Sequence, residues 1–401
     1  MLPFSYIEPL VKDRGAQLTD AELELYKECY SGLLPFEFDQ DSMPLETPQL
    51  VHDDARSTIR VVRLRKNERN GFDTERWLPI SKEERAAGKI KTSHNYTACA
   101  IFRYLIRDDT DDEMEKERQE MPETRVFVIR SYKKDYDLQY ERVRKIELKA
   151  FETAISPAIP TLHSWAISPL CVHLCSEFED GFNFKQLLDN GKWHEDQFDF
   201  LWMHAYAFWD AVHSILERAE SGFPKYSTYY LPKMFVVQVW GRYNGLVPLE
   251  FKLHDLLPSC EHNDLDYIDP AAAEDQIAGI ESDNSNEIPW SIGCVIMEII
   301  TGKKPFFSWP KENRLEALAE EHRLAREQER DYKIPAFALI PCNEEYTPIL
   351  DYLPRLLDPD AGERHFESVQ LSMAYDKLEP TVAKCKAHFP SLCKHDIMPI
   401  S

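Results

Sequence analysis

Residues 288 to 306 read IPWSIGCVIMEIITGKKPF. Ile292, Val295, Ile296, Ile299 and Ile300 recur at the three- and four-residue spacing of a helix face pressed against other protein. Gly293 and Cys294 keep the intervening surface small, which lets a neighbouring element come close. The segment opens on Trp290, and Thr301-Gly302 closes it ahead of the turn at Pro305. The pattern predicts a buried helix at the centre of a large core.

The rest of the chain can supply that core. With 401 residues, 43% of them hydrophobic and 12% aromatic, there is material for one large bilobal unit with extensions or for several smaller domains. No apolar run reaches the roughly 18 to 20 residues that span a bilayer, so no membrane insertion is expected. The opening MLPFSYIEPLVKDRG lacks the basic start, apolar core and small-residue cleavage site of a secretory signal. With nine cysteines and no such signal, reduced thiols in the cytoplasm or nucleus are expected. Forty-seven basic against seventy acidic residues give a net charge of -23, which argues against a general nucleic-acid surface and for basic partners or plain solubility. The one basic stretch, Arg60 to Arg69, reads as an exposed strand edge with its loop.

Working outward from the helix, residues 1–75 read as an N-terminal extension with a helix at Thr19 to Ser31 and a strand at Ile59 to Leu64. Tyr96 to Ile106 and Arg125 to Tyr132 read as paired strands joined by a charged loop. Tyr140 to Ala154 has helical character and Leu170 to Phe178 looks like a buried strand. Helices are expected at Asn183 to Asn190 and Glu195 to Glu217, the second carrying an aromatic surface read as core. Met234 to Trp240 and Val247 to Leu253 form a hairpin across GRYNG. An acidic loop spans about Glu261 to Glu287, and Lys311 to Asp331 reads as a strongly charged helix.

The stretch from Ile288 to Phe306 resembles the long central helix of the protein-kinase large lobe, written D-x-W-S-[LI]-G-C-[VI]-x-x-E-[ML]-x-T-G-x-x-P-F in that family. Ile288 stands where kinases have aspartate. LLDPDAGERHF, from Leu356, resembles the kinase segment L-L-x-x-D-P-x-x-R-x-[ST]. The resemblance covers about residues 76 to 375. It implies an α+β, bilobal protein kinase-like fold, with a β-rich N-lobe carrying one main helix, a mostly helical C-lobe, and an N-terminal extension. The implied divisions are 1–75 extension, 76–178 N-lobe, 179–380 C-lobe and 381–401 tail.

Carried over position by position, the resemblance also implies lost chemistry. The glycine-rich phosphate loop should lie just before Tyr96, where Gly88 is the sole nearby glycine. Arg130 replaces the phosphate-clamp lysine, and arginine's wide planar fork is not equivalent there. Glu147 matches the helix glutamate, so an Arg130–Glu147 ion pair is implied, with an architectural tie preferred over a nucleotide clamp. Ser176 takes the gatekeeper position, and Glu177 and Phe178 begin the hinge. Ser227, Thr228 and Tyr229 replace His-Arg-Asp, and Met234 replaces the metal-binding asparagine. A tyrosine with a pKa near 10 is no general base at neutral pH, and a thioether offers magnesium no hard oxygen. Asp255 is the surviving aspartate of D-F-G; it reads as a turn or cap residue before a cation ligand. Ala271 replaces the glutamate that normally pairs with the arginine found here as Arg364, leaving Glu274 or Asp275 as expected partners.

The expectation is therefore a pseudokinase with no catalytic residues and no resident metal or cofactor, acting through protein partners as a scaffold or allosteric module. The alternative is an atypical kinase or nucleotide-binding switch, using ATP and magnesium at Arg130, Glu147 and Asp255. In the tail, Cys385, His388, Cys393 and His395 offer four zinc-type ligands at a spacing that fits no standard finger; the alternative there is a helix end and surface coil.

Overall fold

TRVFVIRSYK, from Thr124 to Lys133, is dense in β-branched and aromatic residues, and it forms the longest strand among the described residues. The computed structural model describes residues 43–53, 57–67, 72–92, 123–134, 158–160, 162–178, 182–190, 201–220, 230–239, 249–253, 265–280, 287–341, 347–360 and 362–364. Within them the architecture is mixed α+β.

Six strands form one antiparallel sheet: β1 (Gln49–Asp53), β2 (Ser57–Arg65), β3 (Lys91–Thr92), β4 (Thr124–Lys133), β5 (Leu162–Ile167) and β6 (Cys171–Glu177). Their spatial order is β1-β2-β4-β6-β5-β3. Alternation along β4 sends Phe127 and Ile129 to one face, where they pack with Val62, Leu64, Ala166 and Cys175 beneath Phe72 and Leu78. Val126 and Val128 point the other way, against Val61 and Met43.

The reading of Arg60 to Arg69 as an exposed strand edge with its loop needs correction. Instead β2 is interior, hydrogen-bonded to β1 on one side and to β4 along its whole length, from Ser57 opposite Tyr132 to Arg65 opposite Thr124. The reason is its pair Val61-Val62 followed by Leu64, all fully buried, which need protein on both faces. With β2 and β6 on its two edges, β4 has no edge left for the expected pairing with Tyr96 to Ile106, a segment outside the described residues.

A second sheet, in the order β7-β8-β9, contains β7 (Phe182–Asn183), β8 (Phe235–Val239) and β9 (Leu249–Leu253), the last two forming the expected antiparallel pair. The described helices in chain order are α1 (Lys82–Ala87), which lies against the six-stranded, upper sheet, and then α2 (Phe184–Asn190), α3 (Leu201–Glu220), α4 (Pro270–Ala278), α5 (Glu287–Thr301), α6 (Arg314–Glu327) and α7 (Thr347–Leu356). None of the described helices is long and apolar enough to cross a membrane.

Helix α5 is the predicted central helix, and every described residue from Ile288 to Ile300 is buried. Each large apolar side chain fully withdrawn from water in this way contributes about 1.5–3 kcal/mol. Gly293 is small for a reason: a Cβ there would lie 2.8 Å from Leu357 Cδ2 of the chain leaving α7. The same core takes in Phe184, Phe208 and Phe251 below and Tyr132, Val172 and Leu174 of the upper sheet. A backbone bond from Leu253 N–H to Ala158 O, 2.8 Å, ties β9 to the segment entering β5.

The stretch read as an acidic loop at 261–287 contains α4. Asp269 caps it, Pro270 occupies its first turn, and Gly279, with a φ of 68°, ends it in the left-handed region. Composition hid this helix, because its buried side is carried by Pro270 and Ala273 alone.

Candidate functional site

The residues singled out for a nucleotide cleft do not all meet. Arg130 is buried in β4 at 7% exposure, opposite Ile59 of β2 and Leu174 of β6. Ser176, also buried, lies opposite Val128, so the pleat puts Arg130, Val128 and Ser176 on one face. Phe178 packs on that side against the cluster of Met43, Val61, Val126 and Val128, and its N–H donates to Val126 O at 3.1 Å.

Glu177 points to the opposite face. Its Oε1 accepts from Arg125 Nη1 at 2.5 Å and lies 3.0 Å from His163 Nε2. The Arg125 guanidinium also stands over the Phe72 ring, 5.8 Å from its centre, and His163 meets Phe127 edge-on. Glu177 is thus a strand-to-strand tie under the sheet. Glu147 and Asp255 lie outside the described residues, as do Ser227, Thr228, Tyr229 and the four residues of the tail's zinc-type set.

In the lower region Met234 is 3% exposed, and its sulfur accepts from Leu231 N–H at 3.3 Å. Arg364 is buried against Asp269, which binds it through both carboxylate oxygens, and its Nε donates to Asp358 O at 2.6 Å. The guanidinium lies 5.2 Å from the Trp290 ring centre. This corrects the expected pairing with Glu274 or Asp275. Asp269 wins because it already stands at the buried N-terminus of α4, accepting from Ala271 N–H at 3.0 Å, whereas Glu274 is partly exposed and faces His322 at 3.5 Å.

Among the described residues, a cluster of buried polar side chains lies beneath the β5–β6 end of the upper sheet. Ser81-x-x-Glu84 opens α1 as a capping box: Glu84 N–H donates to Ser81 Oγ at 3.1 Å, and Ser81 N–H returns to Glu84 Oε2 at 2.9 Å. That fixes the carboxylate with Oε1 turned inward. Oε1 accepts from Ser168 Oγ at 2.6 Å and meets His173 Nε2 at 2.8 Å. His173 Nδ1 in turn lies 2.8 Å from Ser131 Oγ, its register partner on β4. Cys171 completes the group, and one ligand-type atom from each of Glu84, Cys171 and His173 lies within 4.8 Å of the others.

The electrostatics follow from these contacts. Burial alone would raise the Glu84 carboxyl, but the bonds from His173, Ser168 and the Ser81 backbone outweigh it and bring the pKa down to about 2. Burial, and then the charge of Glu84, push the Cys171 thiol up to about 11, against a smaller opposing effect of Lys133. Two signals in the sequence point to the group in retrospect: the S-x-x-E box, and Cys-x-His on a strand, whose spacing puts both side chains on one face. No family model matches the chain, and no curated protein matches its sequence.

Proposed function

We propose that the chain is a kinase-like domain without kinase chemistry, a pseudokinase acting as a scaffold or allosteric interaction module in the cytoplasm or nucleus. The observation that carries this reading is the place of Met234. By the resemblance it stands where kinases hold a metal-binding asparagine, and its thioether is buried and bonded to Leu231 N–H at 3.3 Å. No hard oxygen is offered to magnesium from that position.

Other features support the bilobal part of the reading. An antiparallel sheet sits over a mostly helical region through a shared core, and α5, the segment that carries the resemblance, is at its centre. Arg364 keeps a buried acidic partner from the segment ahead of α5, with the acid at Asp269 in place of the family's glutamate at position 271. With catalysis absent, function lies in surfaces, and a net charge of -23 suits partners with basic patches.

A second reading, an atypical phosphotransferase or nucleotide-binding switch using Arg130, Glu147 and Asp255, draws support from the buried cation Arg130 sharing a sheet face with Ser176. Thermal unfolding with and without millimolar ATP, in magnesium and in chelator, separates the two. A ligand at about 100 times its Kd stabilises the fold by about 2.7 kcal/mol, a shift of several degrees. The pseudokinase scaffold predicts no shift in either condition; a magnesium-dependent shift would replace it with the second reading.

A further inference from the structure

We propose that Glu84, Cys171 and His173 form a binding site for one divalent transition-metal ion of the zinc class, held between α1 and β6, with a fourth position open to water. A carboxylate oxygen, an imidazole nitrogen and a thiolate sulfur are the three donor types that zinc takes from proteins, and three protein ligands plus water is the arrangement of its open sites. The three ligand-type atoms already lie within 4.8 Å of one another.

Each ligand is held by something else. Glu84 is pinned by the capping box at the start of α1. Cys171 and His173 alternate to the same face of β6, and the turn before them is locked by Ser168. Its N–H donates to Cys171 O at 2.9 Å, and its Oγ accepts from Leu170 and Cys171 N–H at 3.2 and 2.9 Å. Ser131 Oγ, 2.8 Å from His173 Nδ1, accepts the Nδ1 proton in the tautomer that turns the Nε2 lone pair toward an ion. The 2.8 Å contact from Glu84 Oε1 to His173 Nε2 is a hydrogen bond whose proton the ion replaces, with that proton moving to Nδ1.

The charges balance as well. A dication between a carboxylate and a thiolate leaves the pocket neutral, and binding releases the thiol proton to solvent. Glu84 and His173 are buried while Cys171 is only partly so, which provides an entry path from the β5–β6 turn. Lys133, opposite Cys171 in the register and so on the same face of the sheet, is paired with Asp53 at 3.4 Å.

The test is titration of the full chain with cobalt(II), the spectroscopic stand-in for zinc, in a background carrying Cys385→Ser and Cys393→Ser so that the tail's cysteines do not contribute. The expected result is one bound equivalent with a thiolate-to-cobalt charge-transfer band. Cys171→Ser should abolish the band and weaken binding more than about 10-fold, and Ser131→Ala should weaken it about 10- to 100-fold while keeping the band. Cys171→Ser is a near-isosteric change at a partly exposed site, so an unchanged far-UV circular dichroism spectrum is expected alongside. No stoichiometric binding, or a band indifferent to Cys171→Ser, would overturn the site and leave the cluster as a tie between α1 and the sheet.

Discussion

Two glutamates, one in each part of the molecule, are equally withdrawn from water: Glu84 under the upper sheet is 3% exposed and Glu298 on α5 is 4% exposed. Their chemistry is opposite. Glu84 receives a serine hydroxyl, a backbone amide and an imidazole, and its pKa falls to about 2. Burial dominates at Glu298 and carries it up to about 7, with the Tyr267 hydroxyl donating to its carboxylate and Lys304 exerting only a partial counter-effect. Burial alone therefore does not define a polar site; the number of donors aimed at the acid does. By that criterion the upper cluster is constructed around a negative charge, while Glu298 is an acid held in the dry core around α5.

The sharpest way to break this contrast is to remove a buried cation, Arg364, from the lower region. Arg364→Ala leaves Asp269 buried without its partner and should cost about 3–5 kcal/mol in urea unfolding. A loss under about 1 kcal/mol would mean that the lower core solvates its acids better than the comparison allows.

Glu298→Gln tests the other side. The folded pKa lies above the ordinary 4.5, so the fold favours the protonated acid, and the native protein loses stability as pH rises from about 4.5 through about 7. The variant should be more stable than the native protein at pH 8, by on the order of 3 kcal/mol, and little different at pH 4. Equal stabilities at pH 8 would contradict the dry-core account.

Glu84→Gln should show the reverse sign. The folded carboxyl lies below 4.5, so its contribution is present above that pH and lost as pH falls toward about 2. The variant should be about 1–3 kcal/mol weaker at pH 7, and the gap should close in acid.

The smallest effect concerns packing around α5. Gly293→Ala brings a Cβ to 2.8 Å from Leu357 Cδ2 and 3.1 Å from Leu356 Cβ. Overpacking of about 1–3 kcal/mol is partly offset by about 1 kcal/mol of helix propensity, for a net loss of about 1 kcal/mol in thermal melts.

The elements most legible from the sequence were those with a strong local period. The run IGCVIMEII announces α5 because its apolar residues recur at helical spacing, and VFVIR announces β4 because both of its faces are apolar. The hairpin β8–β9 and the strand β6 were readable for similar reasons. What failed to show was everything set by distant partners. Nothing near Arg60 says that β2 is flanked by β1 and β4, and α4 has too little apolar content for a periodic signal. Among site residues, the burial of Arg130 followed from its place within an apolar strand, but the departure of Glu177 to the other face follows from pleat register with β4. Asp269 was passed over for Arg364 because a cap residue looks like a local device, whereas here it serves the helix and the arginine together. The Glu84–Cys171–His173 group joins positions far apart in the chain, and only the fold brings a capping-box glutamate against a strand's Cys-x-His.

The central claim, a kinase-like domain without phosphoryl transfer, is tested most directly by following the terminal phosphate of labelled ATP with magnesium, onto the chain itself and onto general protein acceptors. The native protein and the double variant Tyr229→Asp/Met234→Asn are compared, the latter restoring an acid and an amide at the positions implied for base and metal ligand. No transfer is expected from either, since both keep arginine at position 130 and only Gly88 in the stretch before Tyr96, against turnover of about 1–100 per second for working kinases. Transfer by the native chain, or its appearance in the double variant, would contradict it.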